Sequence, residues 1–138
     1  MAMTFERIFN PTPLRRLWKR LFPSKEMRAY RKMYRGHKRE MIKLAKQVRE
    51  WDYGWIDELV RTQIKHMYEY FSEGNNVWQT DETRLPIVEQ LKHTLDLYDE
   101  LDNLWVSDKD YATSLTREWE LYQEIYGYVG AHLKEWWD

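Results

Sequence analysis

Apolar side chains recur at intervals of three and four residues along four long stretches of this 138-residue chain. That interval is the period of an α-helix, so each stretch predicts a helix with one apolar face. Four amphipathic helices joined by short connections most simply form an antiparallel bundle. The sequence therefore predicts an all-α fold, an antiparallel four-helix bundle.

Cap and breaker residues divide the stretches. Ser24 predicts the start of the first long helix, whose apolar positions run from Met27 to Trp51. Asp52 predicts the cap of the second, and the third begins near Thr80 or Asp81. Pro86 lies late for a first-turn proline and predicts a kink or a delayed start. The last stretch places these residues on one face: Leu115, Trp119, Tyr122, Tyr126, Val129, Leu133 and Trp136.

Three apolar residues serve as tests of these predicted helix faces. We expect Leu44, Leu91 and Tyr126 to lie in the core. Replacing each of them with alanine would then cost roughly 2–5 kcal/mol of unfolding free energy.

A short basic segment precedes the bundle. Thr12 and Pro13 are typical of a helix start, and Pro23 ends the segment. We predict a basic amphipathic N-terminal arm over residues 1–23 and a helical bundle domain over residues 24–138. Exposed aromatic rings are unfavourable, so we expect the arm to mediate homo-oligomerisation through Leu14, Leu17, Trp18, Leu21 and Phe22. An anionic lipid surface, a partner's groove or the chain's own bundle are the alternatives.

Charge is divided unevenly along the chain. The first 50 residues contain 15 of the 22 Lys and Arg residues and four acids, a net charge of about +11, whereas the remaining 88 residues carry about −12. Such asymmetry indicates a charged partner. The basic block lying against the acidic block is the alternative.

Catalytic and metal-binding signatures are missing from the sequence. There is no cysteine, no Gly-x-Ser-x-Gly motif and no glycine-rich phosphate loop. Each potential His–Glu metal pair has the wrong order or spacing for a di-iron bundle. No run of about 18 apolar residues predicts a transmembrane segment. We expect a protein that is not an enzyme and has no cofactor and no metal.

The basic helix is the strongest candidate for a binding surface. Its cations suit phosphates, and nearby rings suit bases, so the expected partner is an anionic ligand, either a nucleic acid or a nucleotide. A solvated helix face is the alternative. The predicted ligand-binding residues are Arg28, Arg31, Arg35, Lys38, Arg49, Trp51, Tyr53, Trp55 and Arg61.

Three segments together resemble a class of small, mostly uncharacterised helical proteins of tailed bacteriophages. They are the run from Lys38 through the Trp51-Asp52-Tyr53-Gly54-Trp55 corner, the Gly74-Asn75-Asn76 turn, and residues 84–91. The resemblance covers roughly residues 35 to 100. It implies a viral protein that acts in the cytoplasm of a bacterial host.

We therefore expect a non-enzymatic phage accessory protein that binds and blocks or sequesters a host protein or a nucleotide signal, with a possible role against host defence. A nucleic-acid-binding accessory protein that uses residues 25–50 is one alternative. An oligomeric structural or assembly protein is the other.

Overall fold

The computed structural model describes residues 17–18, 20–47, 49, 52–73, 80–106 and 110–136. Four long helices lie within these ranges: α1 (Lys25–Ala45), α2 (Gly54–Ser72), α3 (Asp81–Asn103) and α4 (Tyr111–His132). A 3-10 turn (Leu133–Trp136) follows α4, and no described residue is in a strand. The predicted all-α class is confirmed.

The start of α1 follows from local hydrogen bonding. The Ser24 hydroxyl accepts a hydrogen bond from the Met27 backbone N–H at 3.2 Å, which satisfies one of the free donors of the first turn. The helix ends at Ala45, six residues before the predicted end at Trp51. Val48 and Trp51 themselves lie outside the described residues. Apolar spacing marks the faces of a helix more reliably than it marks its ends.

Pro86 lies inside α3 and does not delay its start. The helix begins at Asp81, with Thr80 at the N-cap position. Proline removes the backbone hydrogen bond to the carbonyl of Glu82, and its ring crowds that carbonyl. Glu82 and Pro86 are both exposed, so water can satisfy that carbonyl. The prediction of a delayed start was wrong for this reason.

Successive helices pack against each other, α1 on α2, α2 on α3 and α3 on α4. Arg84 in the first turn of α3 donates to the Phe71 carbonyl in the last turn of α2, at 2.6 Å. At the other end of this pair, Arg61 of α2 bonds Asp102 near the end of α3. These contacts mean that α2 and α3 run in opposite directions.

The core lies among α2, α3 and α4. Leu91, Tyr98, Leu121 and Ile125 have no exposed surface, and Ile64 is 2% exposed. No residue of α1 is buried, and Leu44 is only half-buried. The core position predicted for Leu91 is confirmed, whereas the one predicted for Leu44 is wrong. Among the helices, α1 packs mainly on α2, so its apolar face is covered from one side only.

The predicted apolar face of α4 is rotated from the buried one. Leu121, Ile125 and Ser114 are the buried positions of this helix. Trp119 is instead 68% exposed, and Tyr126 is 37% exposed, so its predicted core position is wrong. The predicted face was placed on the large aromatic residues of α4, at positions that the other helices leave uncovered.

The arm is described from Leu17 onward, with Lys19 omitted. Leu17, Trp18, Arg20 and Leu21 are helical, and Pro23 is not. The ring centroids of Trp18 and Phe22 lie 4.5 Å apart. Leu14 is outside the described residues, and the domain boundary after residue 23 stays a prediction.

Candidate functional site

Cations cover one side of α1. The helix carries eight Lys and Arg residues and two acids over its 21 residues. Arg28, Arg35 and Lys38 are exposed, and Arg31 is half-buried. They recur every three or four residues and therefore share one helix face. The predicted residues 28, 31, 35 and 38 thus lie on one surface, which we call the basic face.

Contacts with α2 hold the opposite side of α1. The rings of His37 and His66 stack with centroids 3.9 Å apart and an interplanar angle of 9°. Each imidazole also bonds a carboxylate across the two helices, His37 with Glu69 at 2.7 Å and His66 with Glu40 at 2.8 Å. The hydrogen bond from His66 lowers the pKa of Glu40 below its ordinary value of 4.5. These contacts turn the basic face away from α2.

The ion pairs that acidic residues of α3 and α4 form are with cations outside α1. Arg117 bonds three of them, namely Glu100, Glu120 and Glu124, and Lys92 bonds Asp96. Across the described ranges, no Lys or Arg of α1 forms an ion pair. The alternative in which the basic block lies against the acidic block therefore has no support in these contacts.

The predicted corner site is only partly brought together. Tyr53 is 79% exposed and Trp55 is half-buried, while Trp51 lies outside the described residues. Arg49 is exposed but forms no described ion pair. Arg61 pairs with Asp102 of α3.

Arg61 belongs to a network between α2 and α3. Its guanidinium bonds both carboxylate oxygens of Asp102, one of them at 2.8 Å, and lies 5.1 Å from the centre of the Tyr98 ring. The hydrogen bond to Asp102 raises the pKa of Arg61, and the same bond lowers the pKa of Asp102. A bidentate pair of this kind fixes the guanidinium in place, so Arg61 has a structural contact, and its predicted role in ligand binding stays a prediction.

Gly54 leaves space for a side-chain contact at the start of α2. A Cβ atom at this position would lie 3.0 Å from the carboxylate of Asp52. That carboxylate accepts a hydrogen bond from the Gly54 backbone N–H at 2.9 Å. Glycine therefore leaves room for the Asp52 side chain at the start of α2.

An apolar groove between α2 and α4 has no counterpart in the sequence prediction. Its volume is about 640 Å³, and its lining is aromatic and acidic: Tyr53, Ile56, Asp57, Leu115, Glu118, Trp119, Tyr122 and Tyr126. Asp57 accepts hydrogen bonds from the hydroxyls of Tyr98 at 3.0 Å and Tyr126 at 2.6 Å. Burial and the Asp57 carboxylate raise the pKa of both tyrosines. The excess of rings on α4 was the available signal for this groove.

Neither a metal centre nor a membrane span is found in the part of the chain that the structure describes. No group of three or more His, Asp or Glu side chains is placed to hold a metal ion there. No described helix combines the length and the apolar character needed to cross a bilayer.

Comparison of the chain with protein-family models, with curated proteins and with solved structures gave no match.

Proposed function

We propose that this protein is a non-enzymatic binding protein that holds a nucleic acid on the basic face of α1. One observation carries the proposal: this face has no ion-pair partner in the described chain. Unpaired cations in register along a helix attract phosphates, and binding releases the counterions that the phosphates had condensed. Solubility alone does not call for so dense a cationic stripe.

The length of the basic face favours an extended ligand. A helix of 21 residues is about 30 Å long at 1.5 Å per residue. Tyr34 is 53% exposed, and its ring stacks on that of Tyr30 with centroids 6.0 Å apart. An exposed ring beside cations is the arrangement on which a base of a single strand can stack. The preferred ligand is therefore single-stranded nucleic acid.

Charge reversal tests the proposal. We expect the triple variant Arg28→Glu, Arg35→Glu, Lys38→Glu to lose binding of a fluorescently labelled single-stranded oligonucleotide, measured by anisotropy. A control variant makes the same change in net charge elsewhere, with Lys65→Glu, Lys92→Glu and Lys134→Glu. It should retain most of the affinity, and circular dichroism should show both variants to be helical. Equal losses in the two variants, or a wild-type chain that does not bind, would contradict the proposal.

A nucleotide signal is the second candidate ligand. A cleft of about 190 Å³ lies between α1 and α2, lined by Tyr30, Tyr34, His37, His66, Tyr70 and three further residues. Rings around a small cleft suit the stacking of one base. Displacement of the labelled oligonucleotide by a mononucleotide at micromolar concentration would favour this candidate over an extended strand.

The biological setting is also a proposal, which rests on the resemblance to tailed-phage proteins. In that setting the chain is an accessory protein in the cytoplasm of a bacterial host, where it sequesters a nucleotide signal, occupies nucleic acid or blocks an acidic host protein. The basic face suits all three ligands. Loss of the in-cell effect in the triple charge variant, but not in its control, would link that effect to the basic face.

We further propose that the four helices form one antiparallel bundle preceded by the basic N-terminal helix. The α1–α2 and α2–α3 contacts support this arrangement. Limited proteolysis of the chain at a dilution where it is monomeric tests the domain boundary, since it should remove residues 1–23 first and leave residues 24–138 folded. Early cleavage within α3 or α4 would contradict it.

A further inference from the structure

The groove between α2 and α4 is an uncovered apolar surface. Ile56 is 64% exposed, Leu115 48% and Trp119 68%, although all three line one concave site. Contiguous apolar surface of this kind typically marks a binding site. Asp57 and Glu118 also line it, and none of its lining residues is basic. The groove therefore suits a ligand that is both apolar and cationic.

The N-terminal arm has the complementary character. The side chains of Leu17, Trp18, Leu21 and Phe22 are 53–64% exposed. The sequence places four cations among and just before them: Arg15, Arg16, Lys19 and Arg20. An amphipathic helical segment with apolar anchors three and four residues apart is a common occupant of apolar grooves. One chain thus carries an apolar, cationic segment and an apolar, acidic groove.

The direction of α1 places the arm far from the groove of its own chain. The Tyr30 ring contacts the Tyr70 ring near the end of α2, and Glu40 contacts His66, so α1 and α2 run in opposite directions. Asp57 in the groove lies 13 residues before Tyr70, which is about 20 Å along the helix. The start of α1 lies beyond Tyr30 in the direction away from Asp57, which adds a further distance of about 7 Å.

The arm is too short to cover that distance. Phe22 precedes Lys25 by three residues, which span at most about 11 Å when extended. Trp18 is one helical turn further, about 6 Å. Trp18 therefore lies within about 17 Å of the start of α1, whereas Asp57 lies about 27 Å from it along the helix axes. Along the helix axes, the Trp18 backbone thus falls about 10 Å short of Asp57 in the groove of its own chain, which favours a second copy as the source of the arm.

We propose that the groove binds the arm, residues 14–22, of a second copy of this chain. Trp18 and Phe22 are the apolar anchors, and the cations of the arm lie against Asp57 and Glu118. Reciprocal exchange of two arms closes a two-fold dimer, the commonest symmetry of homo-oligomers. The inference does not depend on nucleic-acid binding, but such a dimer would carry two basic faces in one particle.

Matched substitutions on the arm and in the groove test the proposal. Trp18→Asp changes the arm, Trp119→Arg changes the groove, and Val106→Arg is the control because Val106 is 81% exposed and does not line the groove. We expect sedimentation velocity of the full chain to show a dimer for wild type and control. Each of the other two variants should raise the dissociation constant at least about thirty-fold, the effect of losing one aromatic anchor.

Several outcomes would overturn the proposal. A monomeric wild-type chain at about 100 µM would do so and would leave the groove to a different partner. A dimer that is lost in Trp18→Asp but kept in Trp119→Arg would show that the arm binds elsewhere. Circular dichroism of each variant separates lost association from lost folding, since both positions are more than 60% exposed.

Disulfide trapping gives a second, independent readout. The chain has no cysteine, so each introduced thiol is unique. A chain with Leu21→Cys mixed with a chain with Leu115→Cys should form a mixed disulfide on mild oxidation, because the bond requires Cβ atoms about 3.5–4.5 Å apart. The control mixture pairs Leu21→Cys with Val106→Cys. Equal yields from the two mixtures would overturn the proposal.

Discussion

The hydroxyl of Tyr98 provides a sharp test of the described packing. Tyr98 is fully buried, and its hydroxyl donates to the Asp57 carboxylate at 3.0 Å. A hydrogen bond to a charged group contributes about 1.5–3 kcal/mol. The same carboxylate oxygen keeps a second donor, the Tyr126 hydroxyl at 2.6 Å. We therefore expect Tyr98→Phe to cost about 1.5 kcal/mol, the low end of that range.

Urea unfolding followed by circular dichroism measures this cost. With a slope near 1.5–2 kcal/mol per molar urea, the midpoint should fall by roughly 0.7–1 M at an unchanged slope. Tyr126→Phe should cost less than about 1 kcal/mol, because its ring is 37% exposed and water can replace the hydroxyl. The double variant should cost more than the sum of the two single variants, since the carboxylate then has neither donor.

The control for this series is Tyr111→Phe. Tyr111 is 69% exposed, so its substitution should change stability by less than about 0.5 kcal/mol. A Tyr98→Phe variant as stable as this control would refute the hydrogen bond to Asp57. A larger effect for Tyr126→Phe than for Tyr98→Phe would refute the burial assigned to the two rings.

Three further predictions concern the remaining contacts. Leu91→Ala should cost about 2–5 kcal/mol in the same urea assay, and Leu44→Ala clearly less, because Leu91 is fully buried and Leu44 is half-buried; equal costs would contradict the peripheral place of α1. Glu40→Gln should destabilise the protein at neutral pH. Because the folded-state pKa of Glu40 is lowered, its contribution is present above pH 4.5 and is lost as the pH falls through the folded-state value, so the difference from wild type should shrink on acidification; a constant difference would contradict the His66–Glu40 bond. Arg61→Lys should destabilise the protein although it keeps the charge, since Lys cannot reproduce the bidentate bond to Asp102; an unchanged urea midpoint would contradict the structural role of Arg61.

Local signals in the sequence were sufficient to predict the helices. Ser24 caps α1 as expected, because a hydroxyl before the first turn satisfies a backbone donor whatever the rest of the chain does. Thr80 occupies the N-cap position of α3 as expected, although its hydroxyl accepts no hydrogen bond from the backbone of the first turn. Leu91 is buried because its apolar neighbours at helical spacing face two other helices.

The depth of burial was not predictable from the same periodicity. Tyr30, Tyr34 and Leu44 share an apolar face that resembles a core face, yet α1 packs mainly on α2 and buries none of them fully. The number of neighbours that cover a face depends on the tertiary arrangement, which the spacing of apolar residues does not encode. The same limit explains why the exposure of Trp119 on α4 was not predicted.

In the candidate sites, too, local features were predictable from the sequence and contacts between distant residues were not. Arg28, Arg35 and Lys38 were predicted to lie on one surface, and they do, because helical spacing alone places them there. The pairing of Arg61 with Asp102 joins residues 41 positions apart, and the groove joins residues around 53–57 with residues around 115–126. No local pattern carries information about contacts over such separations.

The salt dependence of oligonucleotide binding tests the central proposal most directly. If about five of the eight cations on α1 contact phosphates, the logarithm of the association constant should fall with the logarithm of salt concentration with a slope near −3.5 for a single strand. The measurement is a series of anisotropy titrations of wild-type chain between about 50 and 300 mM salt. The logarithm of the association constant should fall linearly with the logarithm of the salt concentration. A slope of about −3 or steeper is the predicted result. Binding with a slope between −1 and zero, or no binding at the lowest salt concentration, would contradict a nucleic acid held on the basic face.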